Sequence, residues 1–93
     1  MKKFRADYNM PEIGTVAGVK VLMFYNDHAP PHVHLSKANT QVVIKIKKPE
    51  SELLAFFTSG ERKRLKAWFR TNQILLLANW ELAHRSLPLF KIP

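Results

Sequence analysis

The segment Asp27-His28-Ala29-Pro30-Pro31-His32-Val33-His34 gathers three of the chain's four histidines beside a carboxylate. Imidazole titrates near neutral pH and serves as acid, base or metal ligand. His32 and His34 are two residues apart, so on an extended strand they project from the same face. That spacing suits an acid–base pair, with His28 as a third catalytic imidazole. It equally suits two metal ligands, with Asp27 or His28 as a third. The Pro30-Pro31 pair pins the backbone and limits how far His28 and His32 can separate. A turn whose imidazoles only hydrogen-bond to backbone fits the same residues. Three alternatives therefore stand: catalysis by His28, His32 and His34, metal ligation by Asp27, His28, His32 and His34, and a structural turn.

Chemistry on a polyanion needs cations near these groups. Arg62, Lys66 and Arg70 recur at i, i+4, i+8 and form one helical stripe beside Lys63 and Arg64. Like charges at that spacing cost a few tenths of a kcal/mol each in an isolated helix, and an anion along the stripe reverses that sign. A solvated helix face is the plain alternative. Lys45 and Lys47 point away from Val42, Ile44 and Ile46 on a strand. These five cations are the candidate nucleic-acid contacts. Trp68 and Phe69 lie on the apolar stripe of their helix, and Trp80 on the next helical segment, so all three are expected in the core rather than stacked on bases.

The elements that must position these groups divide the chain in two. Gly14 and Gly18 flank a short candidate first strand. Val19 to Tyr25 is rich in β-branched and aromatic residues and reads as a strand. Residues 26–31 are a connection, His32 to Ser36 resumes an extended segment, and Ala38-Asn39-Thr40 turns into a strand from Gln41 to Lys47. Residues 53–57 fit either a short strand or a helical lead-in. Thr58-Ser59-Gly60-Glu61 has the spacing of a capping box, opening a helix to about Asn72. A second helix runs from Gln73 to about His84, capped by Asn72 or continuous with the first, and Pro88 cannot extend it. Ile74 to Ala78 is apolar on nearly every side, which calls for burial or a partner. Asn79 is a candidate for satisfying backbone groups. The expected fold is α+β: an antiparallel sheet of three or four strands with two C-terminal helices on one face.

Composition bounds what such a domain can be. The chain has 93 residues, 46% of them hydrophobic. That suits one domain with one modest core, burying roughly 60–65% of the unfolded surface. Residues 1–9 read as a basic arm and 10–93 as the domain. The absence of cysteine excludes disulfides, thiolate zinc sites and a cysteine nucleophile. No apolar run reaches the roughly 20 residues of a membrane span, and no signal peptide is read, so the expected location is cytoplasmic. Fifteen Lys+Arg against seven Asp+Glu give a net charge of +8, which favours a polyanionic partner. No Walker loop, dinucleotide fingerprint, zincin motif or serine elbow occurs.

Met10-Pro11-Glu12-Ile13, the strand from Val19 and the DHxPPHxH turn at 27–34 resemble a small bacterial family, domain of unknown function 4160. Trp68 and Asn79-Trp80 match the spacing of its helical tryptophans, and Pro88-Leu89-Phe90-Lys91-Ile92-Pro93 its close. The resemblance covers 10–93. Ala67 stands where the family often has an acidic residue. Thr71-Asn72-Gln73 replaces its Leu-His-Arg, and Ile74 and Leu75 replace the acidic positions that follow. Genes of this family commonly lie beside another small family, which implies a toxin–antitoxin pair. The resemblance and the charge together give the expectation of a toxin-like component acting on RNA. In its metal-independent form, which needs no cofactor, His32 or His34 takes the ribose 2′-hydroxyl proton. A small cognate protein or a second copy is the alternative partner, and the chain is then a non-catalytic regulatory module.

Overall fold

The computed structural model describes residues 10–93, apart from the side chain of Ser51. The basic arm at 1–9 lies outside the described residues. Alternating side chains build the sheet. β1 (Glu12–Val16) and β2 (Val19–Leu22) are joined by Ala17-Gly18, with φ of 52° and 79°. Two positive φ values give the mirror-image turn whose twist matches a two-residue hairpin. β3 (His32–Lys37) and β4 (Thr40–Lys45) are joined by a second tight turn at Ala38-Asn39. All neighbours are antiparallel, in the order β1-β2-β3-β4.

Val19, Val21, Val33, Leu35, Val42 and Ile44 are buried on one face. The helices α1 (Glu50–Leu53), α2 (Ser59–Thr71) and α3 (Gln73–His84) follow the sheet. Leu53, Leu65, Phe69, Leu76, Trp80 and Ala83 join the sheet residues in a single core cluster. The architecture is the expected α+β one, with four strands and two C-terminal helices. The opposite face of the sheet carries Lys20, Leu22, His34, Ser36, Gln41, Val43 and Lys45.

Several boundaries differ from expectation for identifiable reasons. β2 ends at Leu22 rather than Tyr25, because Asn26 at φ 54° turns the chain away. Met23 still donates its N–H to Pro11 O at 3.2 Å. β4 ends at Lys45 rather than Lys47, because its partner strand starts only at His32. Beyond it, Ile46 N–H has just the Pro31 carbonyl to meet, at 3.0 Å. The segment 53–57 is the end of α1 and a turn, with Leu53 and Phe57 buried and Leu54 and Phe56 exposed.

α2 opens on the expected capping box. Glu61 N–H donates to Thr58 Oγ1 at 3.2 Å, and Thr58 N–H donates to Glu61 Oε1 at 2.9 Å. Asn72 separates α2 from α3 without capping α3. Its backbone N–H and its Nδ2 both donate to Trp68 O, at 3.0 Å each. α3 buries one face only, and Ile74 is 82% exposed.

The C-terminal tail is tied down by polar contacts. Asn79 Nδ2 donates to Phe90 O at 2.9 Å, and Phe90 N–H donates to Asn79 Oδ1 at 3.0 Å. Ile92 N–H donates to Ile13 O at 2.7 Å, and Trp68 Nε1 donates to Pro93 O at 2.9 Å. Gly14 lets Trp68 approach the sheet, since a Cβ there would stand 2.9 Å from Trp68 Cζ2. No helix among the described residues is long and apolar enough to cross a membrane.

Candidate metal centre

The 26–31 connection is held at both ends by backbone. Asn26 N–H donates to Ala83 O at the end of α3, at 3.4 Å, and Pro31 O accepts from Ile46. Between these anchors the chain returns Asp27 over the start of β3. There the strand's two-residue period points His32 and His34 the same way.

His32 is buried, with its ring against Trp80 at 5.2 Å between centroids. Its Nδ1 lies 2.8 Å from Pro30 O and its Nε2 lies 2.8 Å from Asp27 Oδ2. Both nitrogens therefore face oxygen acceptors. A neutral imidazole carries one N–H and cannot donate to both. A cation at Nε2, whether a proton or a metal ion, resolves that conflict. With Nδ1–H donating to Pro30 O, Nε2 is the ligating nitrogen, in the carbonyl-oriented arrangement common to metal-bound histidines.

His34 stacks on Phe24 at 4.1 Å and is only 15% exposed. Its Nε2 is buried and has no hydrogen-bond partner. Asp27 Oδ2, at 3.6 Å, is too far to accept a hydrogen bond from it. Burial pushes the His34 imidazole below its ordinary value of 6.5, and His32 adds to this, opposed in part by the Asp27 carboxylate and Gln41. The ring is thus held neutral, the form that binds metal.

Asp27 is pushed up by burial, but more is gained from His32, from the His28 N–H and from the charge of both rings. Its carboxyl lies below the ordinary 3.8. It is accordingly ionised at neutral pH. Oδ1 accepts the His28 N–H at 2.9 Å, which leaves Oδ2 turned toward His32 and His34.

One ligand atom each from Asp27, His32 and His34 falls within a 4.8 Å span. Donors around one small cation with bonds of about 2.0–2.2 Å sit about 3.3 Å apart, so small side-chain adjustments bring these three to an ion. His28 is outside this set. Its ring is 88% exposed, and its Nδ1 lies 3.2 Å from the other Asp27 oxygen, Oδ1.

Above the three donors is a cleft of about 440 Å³ lined by Phe24, Asp27, His28, Pro30, His32, His34, Val43 and Lys45. Lys45 is the cross-strand partner of His32 and is the one Lys or Arg in that lining. The other candidate cations do not join it. Arg62 donates from Nη1 to the carbonyls of Leu54 and Phe57. Lys66 and Arg70 border a separate depression with Glu50 and Gln73, and Lys47 borders another with Lys48 and Glu50. The stacking of Phe24 on His34 and the packing of Trp80 near His32 had no signal in the spacing, since each contact crosses from one segment of the chain to another.

The family model described as Domain of unknown function (DUF4160) matches residues 18–81, well over half of the 93. The chain belongs to this family. The matched span of the DUF4160 domain contains the whole 27–34 turn, β2 to β4 and α2. The features at 10–17 and 82–93, including the tail that Asn79 holds, extend beyond it. No curated protein and no solved structure matches the chain.

Proposed function

We propose that this DUF4160 domain is a metal-binding protein whose centre is Asp27, His32 and His34. The observation that carries this is the convergence of three donor atoms, one of which, His34 Nε2, is buried with no other partner. A buried imidazole nitrogen without a partner is costly, and a bound ion removes that cost. Two imidazoles and one carboxylate suit zinc and the neighbouring first-row ions. Three protein donors leave a position for water or substrate, the arrangement of catalytic rather than structural zinc sites. The test is elemental analysis of protein purified without a histidine tag, followed by calorimetric titration of apoprotein with Zn²⁺, Mn²⁺, Fe²⁺ and Ni²⁺. One ion per chain, lost in His34→Phe, is the expected result. A folded protein that takes up none of them overturns the reading.

A second reading keeps the histidines metal-free: a toxin-like component of a bacterial two-gene module that cleaves RNA by acid–base catalysis. Its support is Lys45, which shares the cleft with His28, His32 and His34 and could hold a phosphate. Against it, a general base needs a free nitrogen to take the 2′-hydroxyl proton, and both His32 nitrogens already lie 2.8 Å from oxygen acceptors. RNA cleavage that survives EDTA and disappears in a His32→Ala/His34→Ala variant would favour this reading.

A further inference from the structure

We propose that the cleft over the Asp27–His32–His34 centre takes a phosphodiester of single-stranded nucleic acid and hydrolyses it with a metal-activated water. This rests on the metal reading of the site and adds its substrate. The cleft's one carboxylate, Asp27, is a donor to the ion, so a bound divalent cation leaves the space net positive. Lys45 stands at its wall as a second positive charge. An anionic group is what such a space favours.

The rest of the lining narrows the choice. Phe24, Pro30 and Val43 are apolar, and no amide or hydroxyl side chain lines the cleft. Outside the three metal donors its polar side chains are only His28 and Lys45, so most of the lining offers surface for the face of an unstacked base rather than contacts for its edge. About 440 Å³ is within the usual range for a small ligand, on the scale of a nucleotide unit rather than a duplex. The net charge of +8 adds a long-range attraction for a polyanion.

The reaction balances without a co-reactant beyond water. The metal-bound water gives one proton to solvent through the open cleft. The resulting hydroxide oxygen bonds to phosphorus, the bond from phosphorus to one ribose oxygen breaks, and that oxygen takes a proton from solvent. Lys45 holds a non-bridging oxygen through this change. The products are one phosphomonoester end and one hydroxyl end. The ribose 2′-hydroxyl takes no part, so a DNA strand is cut as well and no 2′,3′-cyclic phosphate forms.

The experiment uses the full chain, Zn²⁺- or Mn²⁺-loaded with metal content measured, and end-labelled single-stranded RNA and DNA of one sequence. Cleavage of both strands with phosphomonoester ends is expected, abolished by EDTA and by His34→Phe. Lys45→Ala should cut about tenfold more slowly with unchanged metal content, the loss of one charge-assisted contact. One ion per chain with neither strand cut overturns this inference and leaves the metal centre standing. Cyclic-phosphate ends that survive EDTA overturn it too. Failure to bind metal overturns the metal centre and this inference together.

Discussion

Two polar clusters of the described residues, one around Asn79 and one at Asp27, His32 and His34, differ in whether their groups are paired. Asn79, fully buried in α3, has both ends of its amide paired with the backbone of Phe90. The Asp27–His32–His34 cluster is more open and incomplete: His34 Nε2 has no hydrogen-bond partner, and His32 has two acceptors for the one N–H of a neutral ring. Closed clusters hold structure, because each group has already exchanged water for protein. An open one retains unspent donor capacity, and three such donors converging on one point have the form of a ligand site. The contrast separates what keeps this domain folded from what it can bind.

The largest expected effect falls on the closed cluster. Asn79→Ala strips both partners from Phe90 and should destabilise the domain by about 2–4 kcal/mol. Urea unfolding should show this, and metal stoichiometry at saturating ion should be unchanged. A loss well below 1 kcal/mol would mean that the tail is not held as described.

The open cluster should respond in the reverse way. His34→Phe keeps the ring against Phe24 and removes the orphan nitrogen, so metal-free stability should move by less than about 1 kcal/mol. Wild-type protein with ion at a hundred times its Kd should gain about 2.7 kcal/mol, and the variant should gain nothing. Thermal melts with and without Zn²⁺ decide this. An equal gain in both proteins would place the bound ion elsewhere.

A third element calibrates the pair. Thr58→Ala removes one half of the capping box and should cost about 1 kcal/mol without touching metal binding. Denaturation curves compared with those of Asn79→Ala would show whether the tail contacts outweigh a helix cap.

The smallest effects are pH-dependent, and their signs follow from the shifts. His34 lies below 6.5 in the folded protein, so the unfolded chain binds its proton first. Metal-free stability is complete above about 6.5 and declines as pH falls from there toward the folded value. The decline should be flatter in His34→Phe. Glu61 is held below 4.5 by Lys37 first and then by the Thr58 N–H. Its contribution is complete above 4.5 and fades as pH falls through the folded value. As pH is lowered from 8, the His34 decline should therefore begin before the Glu61 decline.

Much of this was legible in the residues. Val42, Ile44 and Ile46 alternate, Thr58 and Glu61 have capping-box spacing, and Trp68 and Phe69 lie on a helical stripe. Each is a local pattern tied to a known period. The candidate site was legible only to the level of Asp27, His28, His32 and His34. Which three converge depends on how the chain between Asn26 and Pro31 folds back. That path is set by bonds to Ala83 and Ile46, far away in sequence. The same is true of the cations, since only the pairing of β3 with β4 brings Lys45 opposite His32. The strand propensity runs past the observed ends of β2 and β4, because Asn26 turns the chain after β2 and the partner of β4 starts only at His32.

The most direct test of the central claim is the metal content of untagged protein beside that of His34→Phe, read by elemental analysis after loading with Zn²⁺ and exhaustive dialysis. The account predicts one ion per chain in the wild type and none in a variant that remains folded. Folded wild-type protein that retains no ion, or a variant that retains as much as the wild type, would contradict it.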